Sequence, residues 1–248
     1  PRQPFEQPDP PLPRGPRPTV SEVTGAAPVK AVLFDIDGTI LTTGGAGATA
    51  WSKAFVEVYG VPVAIDRITE SGMPDNEVAS TALRSVINRD PTQDEIDAVS
   101  KLYLEHLPEA VRDSKGYTLE PGIVERLEDL TARGFLLGLT TGNVEPAGRA
   151  KLERADLNRF FSFGGFGSDS PDRAVLTAKA IERGIEASGG ELTVENFISI
   201  GDTPRDVAAG HTAGIKVIGV ATGHYIEQDL ADAGADWVIP TVENDFPI

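Results

Sequence analysis

Two aspartates one residue apart, Asp35 and Asp37, follow directly on the apolar run Ala31-Val32-Leu33-Phe34. Carboxylates this close repel each other, and a hard divalent cation such as Mg²⁺ relieves the conflict by taking their oxygens as ligands. Gly38 lets the backbone turn tightly after the pair, and Thr39 can fix that turn with a hydrogen bond. Taken alone, Asp35-Ile36-Asp37-Gly38-Thr39 also reads as an ordinary acidic turn. A calcium loop of the helix–loop–helix kind is excluded, because its glycine belongs at position 6 whereas Gly38 falls at position 4, and because an apolar strand precedes the pair.

Complementary groups return further along the chain. Leu139-Thr140-Thr141-Gly142-Asn143 ends a second apolar run and offers a hydroxyl, open backbone amides and a side-chain amide, all suited to phosphoryl oxygens. Gly201-Asp202-Thr203-Pro204-Arg205-Asp206 ends a third. Its two carboxylates can complete a metal site, and Asp202 or Thr203 can also cap a helix whose first position is Pro204. Arg173 heads a helical stretch after Gly167-Ser168-Asp169-Ser170-Pro171-Asp172. On its own it reads as a solvated surface arginine.

The elements that must position these groups alternate. Short apolar runs at 31–34, 135–139, 197–200, 216–220 and 237–239, with a weaker one at 160–163, are separated by helical spacing at 122–133, 146–155, 172–187 and 206–213. Strand alternating with helix predicts a parallel α/β sheet, with the chemistry beyond the carboxyl ends of the strands. Residues 46–116 break the rhythm with three helical stretches, at 50–59, 76–88 and 94–107. An all-helical insertion after the first strand is expected there, with a ligand site between the two parts. The proline- and arginine-rich segment 1–28 is too polar to offset its ordering entropy and reads as a tail or linker.

Composition sets the outer limits. A net charge of −16 in 248 residues disfavours nucleic acid and anionic membranes as partners. With no cysteine there is no disulfide scaffold, thiolate zinc site or cysteine nucleophile. No apolar run reaches the roughly 20 residues of a membrane span, and no signal peptide is visible, so a cytoplasmic protein is expected.

With these segments in order, the stretch from Lys30 to Ile239 resembles the haloacid dehalogenase superfamily, and within it the phosphatases with a helical cap, phosphoglycolate phosphatases among them. Asp35-Ile36-Asp37-Gly38-Thr39 is similar to the first motif, Thr141 to the second, and Gly201 to Asp206 to the fourth. The third is one lysine or arginine. Lys151 and Lys179 compete for it, and Arg173 fits best by its place after the Gly/Ser/Asp loop. The resemblance implies a Rossmann-like core at 29–45 and 117–248, a cap at 46–116, and a Mg²⁺-dependent phosphatase acting on a small phosphorylated metabolite. It implies Asp35 as nucleophile and Asp37 as general acid and base. Asp35, the Asp37 carbonyl, Asp202 and Asp206 would hold Mg²⁺, while Thr141, Gly142, Asn143 and Arg173 would hold phosphoryl oxygens. An aspartate at position 37 disfavours dehalogenation, because a departing halide needs no proton whereas an alkoxide does.

Two alternatives remain: a phosphomutase of the β-phosphoglucomutase type, which would exclude water, and a non-enzymatic phosphate-ligand binding module. A third pattern, Gly45-Ala46-Gly47-Ala48-Thr49-Ala50, matches a dinucleotide fingerprint but does not follow the first strand directly, so Gly44–Gly47 reads as the hinge into the cap. Selectivity is expected from the cap, whose candidates are Trp51, which reads as an aromatic wall near the hinge or, more simply, as cap core, and Met73 and Asp75 in the loop before the second cap helix.

Overall fold

The computed structural model describes residues 28–248; the segment expected to be a tail lies, apart from Pro28, outside the described residues. Strand β1 (Ala31–Phe34) has no side chain in contact with solvent. A strand buried on both faces belongs at the centre of a parallel sheet, and β1 is central: the six-stranded order is β5-β4-β1-β6-β7-β8. Its partners are β4 (Leu136–Thr141), β5 (Phe163–Phe166), β6 (Phe197–Gly201), β7 (Lys216–Val220) and β8 (Trp237–Ile239), and every pairing is parallel. The chain runs from β1 to β4 and β5 on one side, then crosses back to β6 on the other side of β1. The crevice at that switch point opens beyond Phe34, where Asp35 begins.

The apolar run expected at 160–163 is not the strand. Phe161 turns into the core, and the strand begins at Phe163. Its Gly164-Gly165 centre, too weak to read as a strand, allows helix α6 (Arg173–Ala187) to lie against the backbone. A Cβ on Gly165 would sit 1.8 Å from the Leu176 carbonyl oxygen.

The insertion forms as expected: α1 (Ala46–Tyr59), α2 (Asp75–Ile87) and α3 (Gln93–Asp113). Thr92 and Glu95 make a reciprocal capping box that starts α3. These helices bury their own apolar cluster, in which Trp51 stacks on Tyr103 with ring centroids 4.0 Å apart. The entry and exit strands, β2 (Leu41–Thr42) and β3 (Thr118–Leu119), pair antiparallel below them. Gly44, with φ +59°, lies against Gly116, where a side chain would meet backbone. The glycine run at 44–47 thus joins the two-residue strand β2 to α1, which starts at Ala46 inside the run. No described helix is long and apolar enough to cross a membrane.

Candidate active site

The site is built on the ends of three adjacent strands. Asp35 leaves β1 and is buried; its N–H donates to the Ile200 carbonyl of β6 at 3.0 Å, which locks the backbone at the crevice. Gly38 takes φ +81° and packs so closely on Asp202 that a Cβ would lie 2.5 Å from its Oδ2. Thr39 Oγ1 donates to Asp202 Oδ1 at 3.4 Å, tying the first acidic segment to the third.

Asp202 and Asp206 hold complementary places. Helix α7 (Pro204–Thr212) begins with a capping box in which Asp206 Oδ2 accepts from the Thr203 N–H at 3.0 Å and from Thr203 Oγ1 at 2.6 Å. The cap and the acid site are therefore one structure, as the sequence allowed. Asp35, Asp202 and Asp206 are all buried, and each offers an oxygen within 4.8 Å of the others.

Burial, followed by neighbouring negative charge from Asp206, pushes the carboxyls of both Asp35 and Asp202 well above the usual range, although Arg173 opposes the rise at Asp35. Three acids in so small a buried volume call for positive charge. Oxygen-only donors of this kind suit a hard divalent cation, and this donor set fits Mg²⁺.

Part of the charge is balanced within the chain. Arg173, the first residue of α6, is buried; its guanidinium contacts Asp206 through Nη2 and lies 3.5 Å from Asp35 Oδ1. Its other terminal nitrogen, Nη1, donates to the Gly72 carbonyl of the cap at 3.0 Å. Burial alone would lower its pKa, but Asp206 and Asp35 outweigh that and raise it. Thr141 is buried at the end of β4, where its Oγ1 accepts from Asn143 Nδ2 at 2.8 Å and its hydroxyl proton is free for a ligand. Gly142 lies beside Arg173: a Cβ there would sit 3.3 Å from Nη1.

A second cation, Lys151, enters from helix α5 (Glu145–Glu153). It is buried, and its Nζ donates to Asp37 Oδ2 and to Asn143 Oδ1, each at 2.6 Å. Asn143 Nδ2 donates to the same Asp37 Oδ2 at 2.8 Å. Desolvation would lower the Lys151 pKa, but Asp37 and Asp75 prevail and raise it, so the ammonium stays charged. Sequence reading set Lys151 aside in favour of Arg173, yet both reach the site and serve different aspartates. Lys179, the other rival, pairs with Glu182 on the surface. The helical spacing of 146–155 held no signal that Lys151 faces inward.

The cap closes over this arrangement. The Asp75 N–H donates to the Gly142 carbonyl at 3.0 Å, and Asp75 Oδ2 accepts from the Val144 N–H at 2.8 Å. Asn76 Nδ2 donates to the Gly167 carbonyl at 3.1 Å, and Arg205 pairs with Glu70 at 2.9 Å. Burial raises the Asp75 pKa to about 6, against the opposing pull of Lys151. Of the two readings of Trp51, aromatic wall or cap core, the structure has the second: it is 3% exposed inside the cap cluster. Met73 is half-buried against the same cluster, one residue from Gly72. Two groups escaped sequence reading. Tyr103 is buried, and its hydroxyl pKa is raised by desolvation and then by Asp75 and Asp37. In the loop after β7, Gly223 covers Asp202 so closely that a Cβ would fall 1.7 Å from its Oδ2.

The chain belongs to the haloacid dehalogenase-like hydrolases, whose family profile matches residues 32–220. Among its relatives is a phosphoglycolate phosphatase from Nitrosospira multiformis, 26% identical over 220 residues, covering 87% of this chain and 93% of that protein. Another, from Rhodospirillum rubrum, is 28% identical, covering 83% and 85%. The fold is shared with CbbY from Rhodobacter sphaeroides, solved in complex with phosphate, at a TM-score of 0.68 and 19% identity over 86% of this chain and 95% of that one.

Proposed function

We propose that the chain is a Mg²⁺-dependent phosphatase that hydrolyses a small phosphorylated metabolite through an aspartyl-phosphate on Asp35. The observation that carries this reading is the setting of Asp35: a buried carboxylate at the sheet's switch point, faced by Arg173 and by the hydroxyl and amides at the end of β4. An anionic phosphoryl group placed there meets fixed donors and cations rather than water.

In this mechanism an Asp35 carboxylate oxygen bonds to phosphorus as the bond from phosphorus to the alcohol oxygen breaks. Asp37 gives its proton to the leaving oxygen, then takes one from the water that hydrolyses the aspartyl-phosphate. The Thr141 hydroxyl, the amides at Gly142 and Asn143, and the Arg173 guanidinium hold the other phosphoryl oxygens. Asp35, the Asp37 carbonyl and Asp202 would hold Mg²⁺, with Asp206 outside or through water because its oxygens already serve Thr203 and Arg173. Bound Mg²⁺ supplies charge that screens nucleophile from phosphate and stabilises the transferring group.

The domain division at 29–45 and 117–248 against 46–116 is supported by two apolar clusters, one in the sheet part and one mainly from the cap helices, which Ala147 joins from α5. The cap residues Met73 and Asp75 are the proposed selectivity elements, because their loop meets Arg173, Gly142 and Val144. The names of the relatives favour a short phosphorylated hydroxy acid of the phosphoglycolate kind.

A phosphate-release screen over phosphoglycolate, sugar phosphates and nucleotides, with and without Mg²⁺, tests this reading. Metal-dependent release from a small monoester is expected. No release from any of them would overturn the assignment, and isomerisation of glucose 1-phosphate without release would make the protein a mutase.

A further inference from the structure

Two buried cations converge on the site, and they divide between the two aspartates of the first motif. Arg173 lies against Asp35 and Asp206, whereas Lys151 and Asn143 both bind Asp37. Both of the latter bonds fall on Oδ2, and among the described residues no side chain donates to Asp37 Oδ1. The Lys151 stem is inside the protein, while the Asp37 side chain remains 43% exposed toward the crevice. An exposed aspartate is free to rotate about two bonds. One pinned at Oδ2 from its inner side has a single oxygen left to meet a ligand.

We infer that Lys151, together with Asn143, is a positioning residue for Asp37: the pair anchors Oδ2 so that Oδ1 is the oxygen that delivers the proton to the leaving alcohol. This inference rests on the phosphatase reading above. The Asp35–phosphorus bond forms, the phosphorus–alcohol bond breaks, and the Oδ1 proton moves to the alcohol oxygen. The charge left on Asp37 then lies 2.6 Å from an ammonium already in place. Asn143, expected from sequence as a phosphate ligand, spends its side chain on Asp37, Thr141 and Lys151 and leaves its backbone amide for the phosphoryl group.

A cation that merely holds phosphate would help every substrate alike. One that orients the acid matters most where the leaving group most needs a proton. The test is a leaving-group series, from alkyl phosphates to 4-nitrophenyl phosphate, on the full chain and on Lys151→Met, read as kcat/KM because that ratio runs through release of the alcohol. Orthophosphate inhibition is measured alongside. The expected loss is about 100-fold or more for alkyl phosphates, the usual scale of general acid catalysis, and under about 10-fold for the nitrophenyl ester. The inhibition constant of orthophosphate should stay within about threefold of the parent's. A loss uniform across the series, or a matching rise in that constant, overturns the inference and makes Lys151 a phosphate ligand. If Lys151→Met yields no folded protein by circular dichroism, Asn143→Ala decides on the same series, since it removes the second donor from the same oxygen without changing charge. Its loss should tilt in the same sense, and a flat loss overturns the inference. A parent inactive on every ester overturns the phosphatase reading and this inference with it, whereas an active parent with a flat loss overturns this inference alone.

Discussion

In the sheet domain, aspartates and an arginine are buried together at strand ends, and the backbone there is held by hydrogen bonds from neighbouring strands. In the cap, what is buried is almost entirely apolar, Trp51 on Tyr103 at its centre, and the polar groups lie at one edge facing the sheet. The first region spends stability on holding like charges close together. The second obtains most of its stability from its own core, and meets the first through Ala147 of α5, which joins that core, and through a handful of hydrogen bonds. Chemistry and selectivity can therefore change separately: a substitution in the cap core should cost stability, and one at the strand ends should cost rate.

The sharpest way to break that comparison is Asp35→Asn. Loss of the proposed nucleophile should lower kcat by on the order of 10⁴-fold or more, with the far-ultraviolet circular dichroism spectrum unchanged. Steady-state hydrolysis near the parent rate would remove Asp35 from the centre of the chemistry. Next in size is Arg173→Ala, which should raise KM and lower kcat together, by ~10²–10³ in kcat/KM, because phosphate contact serves ground and transition states alike. A change in stability with intact kinetics would make Arg173 only a counter-charge for Asp206.

Trp51→Ala should act on the other side of the comparison, costing about 3–5 kcal/mol in denaturant unfolding through the cavity it leaves in the cap cluster. In the fraction that stays folded, hydrolysis of 4-nitrophenyl phosphate should fall by less than about 10-fold, since Trp51 lies in the cap interior. A selective collapse of rate with unchanged stability would restore it as a wall of the substrate site.

The smallest effect belongs to the seam, at Asp75. Burial raises its folded pKa to about 6, well above the usual carboxylate range. The folded state therefore binds the proton more tightly, and any stability that gives is full below the unfolded value and lost as pH rises through about 6. Asp75→Asn removes that charge and keeps an oxygen for the Val144 N–H. Relative to the parent it should gain stability between pH 4 and pH 7.5 by about 1–3 kcal/mol, measured as the difference of two denaturant melts. A constant difference across that range would show that the carboxyl at this seam does not sense burial.

The sequence already carried the class of fold and the aspartates that gather at the strand ends. Strands buried on both faces have continuous apolar runs, so β1, β4, β6 and β7 stand out along the chain, as does the short apolar edge strand β8, and the aspartates that follow β1 and β6 are held in place by local turns. Asp35, Thr141 and Asp202 come from segments whose position depends only on where a strand ends. The strand Phe163–Phe166 did not stand out, because its Gly-Gly centre is explained by helix α6 lying on it, a contact distant in sequence. Tertiary structure alone decided where the long side chains went. Trp51 packed inward on Tyr103 rather than toward the substrate, and Asp75 became a bond across the seam. Lys151 reached Asp37 across 114 residues of chain. A lysine's direction depends on which face of its helix meets the sheet, and a spacing pattern of nine residues cannot specify that for α5. Backbone hydrogen bonding near a strand end is local and readable from sequence, whereas the pairing of buried charges depends on the whole fold.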